Sequence, residues 1–196
     1  MTESFQPTRF SPLASLPPAQ AGIVLSERAY IGKVNLRGDK DDPAFASAVN
    51  TVLDVDLPVA PNTVAFNDQY TVYWLGPDEW LVHCAQDEQH EVVSRLQESL
   101  RGRHAAVTDV SDYYFVIRLS GDKAREVLSK GTPFDVQPRV FETGACAQTC
   151  FGHASILLHC VDDAPIFDIQ VRWSFAEYLW RYLLDSAREY QEPVRA

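Results

Sequence analysis

No stretch of this 196-residue chain approaches the roughly eighteen consecutive apolar residues that a membrane-spanning helix requires. Its opening residues, Met1-Thr2-Glu3-Ser4-Phe5-Gln6, lack the basic start and apolar run of a secretory signal, so the protein is expected to stay in the cytoplasm. Cysteine is scarce. Cys84, Cys146, Cys150 and Cys160 are too few to staple a chain of this size and are expected to be reduced thiols. Positive charge is scarce as well: 17 Lys and Arg stand against 27 Asp and Glu, a formal net charge of −10. That balance argues against a nucleic-acid surface, which needs clustered cations to neutralise phosphates, and against an anionic membrane surface. Gly121, Gly131 and Gly144 are isolated, so no glycine-rich loop is set to cradle a nucleotide phosphate.

Enough apolar sequence remains for one large domain or two small subdomains with a real core. Residues 1–21 hold Pro7, Pro12, Pro17 and Pro18 and no periodic pattern, which forbids a regular helix and favours an extended arm. The apolar Phe5, Phe10, Leu13 and Leu16 suit an arm laid against a surface. Beyond it the chain reads as two similar halves, 22–102 and 103–196, within one compact domain. In the first, Ile31 to Gly38 alternates as a strand, Asp42-Pro43 opens a helix with Phe45, Val49, Val52 and Leu53 on one face, strands follow near 63–75 and 80–84, and Asp87 precedes a helix ending at Gly102. In the second, Tyr114 to Leu119 is strand-like, Gly121-Asp122 caps a short helix with Ala124, Val127 and Leu128, strands follow near 153–160 and 166–173, and a helix starts at Ser174. Each half reads strand, helix, strand, strand, helix. The fold class this predicts is α+β: two pseudo-repeated units with antiparallel sheets, each covered by helices on one face.

The last helix has unusually little polar surface. Ser174 and Glu177 have the spacing of a capping box. Phe175, Tyr178, Leu179, Tyr182 and Leu183 form one apolar face, and Ala176, Trp180 and Leu184 widen it. The polar Glu177, Arg181, Asp185 and Arg188 fall on an arc of about 80° at roughly 100° per residue. Such a helix is buried on more than one side, and the surface around Trp180 and Leu184 is expected to meet another chain. Phe5, Phe10, Leu13, Leu16, Trp180 and Leu184 are therefore the candidate partner-contact residues.

Catalytic patterns do not assemble. Cys146, Cys150, His153, His159 and Cys160 lack the paired doublets of a zinc site and lie on predicted strands, where successive side chains face opposite ways. His83, His90 and His104 are scattered and are expected to be structural. Asp109 and Asp112 precede a strand, where Asp and Ser ordinarily cap turns. No catalytic, cofactor-binding or metal-binding residue is assigned.

Several motifs, taken together and in order, resemble the gamma subunits of heterotetrameric sarcosine oxidase. They are Ser11-Pro12-Leu13, Asn35-Leu36-Arg37-Gly38, Trp74-Leu75-Gly76-Pro77-Asp78-Glu79-Trp80-Leu81, Cys146-Ala147-Gln148-Thr149, Ile156-Leu157-Leu158, Phe167 through Val171, and Arg172-Trp173-Ser174-Phe175-Ala176-Glu177-Tyr178-Leu179-Trp180. One departure is Trp173, where the family pattern has a second basic residue before Ser174. The resemblance covers nearly the whole chain. It implies a fold like the folate-binding domain of glycine-cleavage aminomethyltransferases. It also implies a complex with alpha, beta and delta subunits, alpha in direct contact, that demethylates sarcosine oxidatively to glycine. FAD, FMN, NAD, tetrahydrofolate and zinc would belong to the partner subunits, and the isolated chain would be inactive. The alternatives are a stand-alone tetrahydrofolate-binding protein of the same fold, with Asp109 or Asp112 holding the ligand, and the gamma-like chain of an N-methylglutamate dehydrogenase. An iron–sulfur maintenance protein of the superfamily would need a Lys-Gly-Cys motif that Gly144-Ala145-Cys146 does not supply.

Overall fold

Asp42 and Pro43 begin the first helix as their chemistry dictates. The Asp42 carboxylate accepts from the Ala44 N–H at 2.9 Å, and Pro43 sits in the first turn, where a missing N–H is not needed. The computed structural model describes residues 10–14 and 22–190. Along them run β1 (Val24–Glu27), β2 (Gly32–Arg37), α1 (Pro43–Leu53), β3 (Val64–Phe66), β4 (Thr71–Gly76), β5 (Glu79–Cys84), α2 (Gln89–Ser99) and β6 (Ala106–Asp109). The second half follows with β7 (Tyr114–Ser120), α3 (Ala124–Ser129), β8 (Cys146–Phe151), β9 (Ala154–Asp162), β10 (Ile166–Arg172) and α4 (Ala176–Ala187).

Two five-stranded antiparallel sheets result, ordered β3-β4-β5-β2-β6 and β8-β9-β10-β7-β1. The orders correspond position for position, and the expected α+β repeat is present with two more strands in each half. The segment near 63–75 is divided by a turn in which the Asn67 side-chain Oδ1 accepts from the Gln69 and Tyr70 N–H groups, so it yields β3 and β4. The expected division near residue 102 is crossed by exchanged edge strands. β1 pairs with β7, Leu25 opposite Leu119, while β6 returns to β2, Val107 opposite Leu36. Gly121 allows the first exchange. Its φ is +117°, and a Cβ there would lie 2.3 Å from the Gly22 carbonyl oxygen.

Each sheet packs one face on two helices. Phe45, Val49, Val52, Leu53, Val92 and Leu96 from α1 and α2 meet Val34, Leu36, Val72, Trp80 and Val82. The wholly buried Trp80 donates its indole N–H to the Pro58 carbonyl at 2.8 Å. On the other sheet, Ala124, Val127 and Leu128 of α3 and Leu179, Trp180 and Leu183 of α4 close over Ile117, Leu119, Phe151, Phe167 and Ile169.

Three expected helix starts differ. Trp173–Phe175 forms a 3-10 turn, so α4 begins at Ala176 without a side-chain cap; Ser174 and Glu177 make no capping box, and Glu177 pairs with Arg181 at 2.8 Å. α2 starts after Glu88 and α3 after Lys123, both without side-chain caps, because Asp87 takes a left-handed backbone (φ 70°) and Asp122 lies two residues before α3. Much of the wide apolar surface of α4 packs inside this chain. Trp180 is 4% exposed in its own core, and Tyr178, Tyr182 and Leu184 pack against that core partly buried. Among the described residues, no helix is long and apolar enough to cross a membrane.

Candidate functional site

The inner faces of the two sheets look at one another, and the strands place polar side chains there. Residues alternate along a strand, so Lys33 on β2, Tyr73 on β4, His83 on β5, His159 on β9, and Asp168 and Gln170 on β10 face away from the helices. Among the described residues, two bonds between side chains cross from sheet to sheet: His83 Nε2 to Gln170 Oε1 at 2.6 Å, and the Tyr73 hydroxyl with His159 Nδ1 at 3.3 Å. Tyr73 also lies edge-on to both imidazoles, with ring centroids 4.7 and 5.2 Å away. Further along, Tyr73 and Leu81 meet Cys146 and Leu157 in a small apolar cluster.

Burial sets the charge state of this seam. It pushes His83 down to about 3, helped by the Lys33 charge, and His159 down to about 4. Both rings are therefore neutral near neutrality and too weakly basic for proton abstraction there. Burial pushes the Cys84 thiol up to about 11 and the Cys146 thiol up to about 12, so neither is a poised nucleophile. For Asp168, burial works upward, but hydrogen bonds from Arg118 at 2.7 and 2.9 Å and the nearby Arg28 guanidinium, bonded at 2.6 Å, outweigh it and hold the carboxyl below its usual range.

At one end the seam opens into a cavity of about 790 Å³. Its walls come from the ends of several elements: Glu27, Arg28, Tyr30 and Ile31 after β1, Lys33 of β2, Asp87, Gln89 and His90 at the start of α2, Asp109, Ser111 and Asp112 after β6, Tyr114 to Val116 of β7, and Trp173. Phe10 and Ser11 complete it. Ser111 organises one wall. Its hydroxyl accepts from the Lys33 N–H at 2.9 Å, while its own N–H and hydroxyl donate to Asp109 at 2.9 and 2.6 Å. Asp109 therefore does the turn-capping task expected of it. The Lys33 ammonium donates to the Ile31 carbonyl at 2.8 Å, and burial pulls it down to about 8. Opposite, Ser11 donates to Glu27 Oε2 at 2.6 Å and anchors residues 10–14.

The candidate contact residues separate. Phe5 and Leu16 lie outside the described residues. Phe10 is 68% exposed and lines the cavity. Leu13, at 5% exposed, joins Trp180 in the second core, with Leu184 packed against it, so these three are not brought together with Phe10 at the cavity. The arm is thus laid on its own chain at Leu13. The cavity residues Glu27, Arg28, Lys33 and Gln89 escaped sequence reasoning. The available signal was a lysine between Gly32 and Val34 in a strand otherwise destined for burial. Among the described residues, no three His, Cys, Asp or Glu side chains are grouped to hold a metal ion.

Residues 37–189 match the model of the sarcosine oxidase, gamma subunit family. Over 194 residues the chain is 32% identical to the sarcosine oxidase subunit gamma of Corynebacterium sp. strain U-96, covering 93% of this chain and 91% of that protein. Its structure is similar to a chain of the heterotetrameric sarcosine oxidase of that organism, solved in complex with pyrrole 2-carboxylate: TM-score 0.86, 28% identity, 96% of this chain and 99% of that one. The glycine cleavage system aminomethyltransferase T of Bartonella henselae shares the fold at TM-score 0.62 and 12% identity, over 86% of this chain and 47% of that protein.

Proposed function

Since this chain belongs to the sarcosine oxidase gamma subunit family, we propose that it acts as the non-catalytic gamma subunit of a heterotetrameric oxidase that demethylates sarcosine. The observation that carries this reading is the similarity along nearly the full length of both chains to a chain of a heterotetrameric sarcosine oxidase. The chemistry of the polar residues supports a structural role. The seam imidazoles are neutral, the buried thiols are protonated, and Asp168 is held between two guanidinium groups. FAD, FMN, NAD, tetrahydrofolate and zinc are assigned to the alpha, beta and delta chains, with alpha the direct neighbour. The alternative reading as a stand-alone tetrahydrofolate-binding chain is not favoured.

Co-expression with the flavoprotein and zinc-binding chains tests the assignment. A tag on this chain is expected to recover the other three in equal amounts, with hydrogen peroxide released only when sarcosine is supplied to the assembly. Recovery of this chain alone, alongside a fully active oxidase formed without it, would overturn the reading.

A further inference from the structure

Lys33 is buried in a way that is costly for a lysine. It is 3% exposed, and among the described residues its ammonium enters no ion pair. The ammonium donates to the Ile31 carbonyl at 2.8 Å and lies 3.4 Å from the Ser111 carbonyl. Lysines are rarely buried this fully without a counter-ion. Ile31, Lys33 and Ser111 all line the cavity at the end of the seam, so the nitrogen sits at the cavity wall. The charges facing it there are Arg28, already bonded to Asp168, Asp109, already bonded to Ser111, and Asp112. Desolvation outweighs the two carboxylates and brings the amine down to about 8. At pH 7.5 such an amine is neutral in about a quarter of the molecules, against about one in a thousand at the ordinary 10.5. A desolvated, neutral lysine is a nucleophile toward carbonyl carbon. With so little of the side chain exposed, the carbonyl compound it receives must be small.

Resting on the reading of this chain as an oxidase subunit, we infer that Lys33 is a reversible covalent binding site for formaldehyde, reached through this cavity. Oxidising the N-methyl carbon of sarcosine by two electrons and adding water releases that carbon as formaldehyde, so the assembly itself supplies the aldehyde. The Nζ lone pair forms the C–N bond while the Ile31 carbonyl holds one N–H. The carbonyl electron pair moves to oxygen, and a proton passes from nitrogen to that oxygen to give a carbinolamine. Protonation of the new hydroxyl by solvent and loss of water leave a protonated imine. The wall thus keeps the positive charge it had with the ammonium, and the charge of Asp112 favours it. Addition of water reverses both steps and returns the aldehyde.

The test is reductive trapping. The full-length chain is incubated at pH 7.5 with formaldehyde and sodium cyanoborohydride, which delivers hydride to the imine and leaves N-methyllysine. Peptide mapping by mass spectrometry then compares Lys33 with the exposed Lys40. Lys33 is expected to be methylated roughly tenfold faster or more, a smaller factor than the gain in neutral amine because lower basicity also weakens the nucleophile. Methylation of Lys40 as fast as Lys33, or faster, overturns the site. That arm needs no partner, so its failure leaves the subunit assignment standing. The second arm uses the assembled oxidase with sarcosine carrying carbon-13 in its N-methyl group, cyanoborohydride, and no added formaldehyde. Carbon-13 methyl is expected on Lys33 ahead of Lys40. An assembly that consumes sarcosine while Lys33 stays unlabelled overturns Lys33 as a site for the product. Failure to assemble or to turn over sarcosine counts against the oxidase reading alone, since the first arm already decides the amine.

Discussion

The two faces of each sheet are built from opposite chemistry. Against the helices the strands present Leu36, Trp80, Val82, Ile117, Phe167 and Ile169, all fully buried and apolar. Against one another they present Lys33, His83, His159, Asp168 and Gln170, which are as hidden from water, at 3–8% exposed. Burial therefore means two different things in one molecule. The helix–sheet layers gain from removing apolar area from water and tolerate small adjustments. The seam gains little from area. Its crossing polar groups are matched in one relative position of the sheets, and a slip would leave His83 and Gln170, or Tyr73 and His159, without a partner. The apolar layers supply stability, while the seam fixes how the two half-repeats meet.

Removing a large core side chain should break the first side of that comparison most strongly. Trp80→Ala and Trp180→Ala are each expected to destabilise the isolated chain by about 3–5 kcal/mol in denaturant unfolding. For Trp180 the measurement also decides its role. An unchanged midpoint with failed recovery in the oxidase complex would make it a partner contact after all, despite its 4% exposure.

In the seam the strongest effect should come from Asp168. Asp168→Ala leaves Arg28 and Arg118 facing each other without their shared anion. A fully buried pair broken this way costs about 3–5 kcal/mol, but these guanidinium groups are 40 and 31% exposed, so about 2–3 kcal/mol is expected. The effect belongs to neutral pH. Because the folded carboxyl sits below its ordinary value, its contribution is present above the unfolded pKa and fades as pH falls through the folded one. An Asp168→Ala penalty that stayed constant down to pH 2 would remove the ion pair as its cause.

Acid should loosen the seam before it touches the apolar layers. His83 and His159 titrate at about 3 and about 4 in the fold, against 6.5 ordinarily. Below pH 6.5 the unfolded chain binds protons that the folded chain refuses, so stability falls as pH drops from there toward 4. A chain with His83→Gln and His159→Gln together should show a shallower decline over the same window in thermal melts. Equal slopes for the two proteins would mean that other groups drive the acid sensitivity.

How much of this was legible depended on the range of the signal. Asp42-Pro43 is a contact between near neighbours, and it formed as read. The repeat was legible because Phe45, Val49 and Val52, and later Val127 and Leu128, carry helical spacing between strand-like runs. The exchange of β1 and β6 was not, since four-residue strands such as Val24–Glu27 and Ala106–Asp109 hold no mark of which half they will join. The capping box failed because Trp173–Phe175 takes a tighter turn and moves the helix start to Ala176. The seam was invisible for a related reason. His83 meets Gln170 and Tyr73 meets His159 across 87 and 86 residues, and a strand histidine alone does not reveal its partner.

The smallest expected effect gives the sharpest view of what one seam contact contributes. Tyr73→Phe keeps the ring between His83 and His159 and deletes only the hydroxyl that meets His159 Nδ1 at 3.3 Å. The edge-on ring contacts and the buried area persist, so the loss isolates one long, neutral hydrogen bond and the orphaned nitrogen it leaves. About 1 kcal/mol is expected from equilibrium unfolding. Leu81→Ala, on the same face in the neighbouring apolar cluster, should cost about 2–5 kcal/mol. A Tyr73→Phe loss as large as that of Leu81→Ala would mean that one seam hydrogen bond stabilises as much as the packing of a buried leucine, and the contrast between polar matching and apolar packing would collapse.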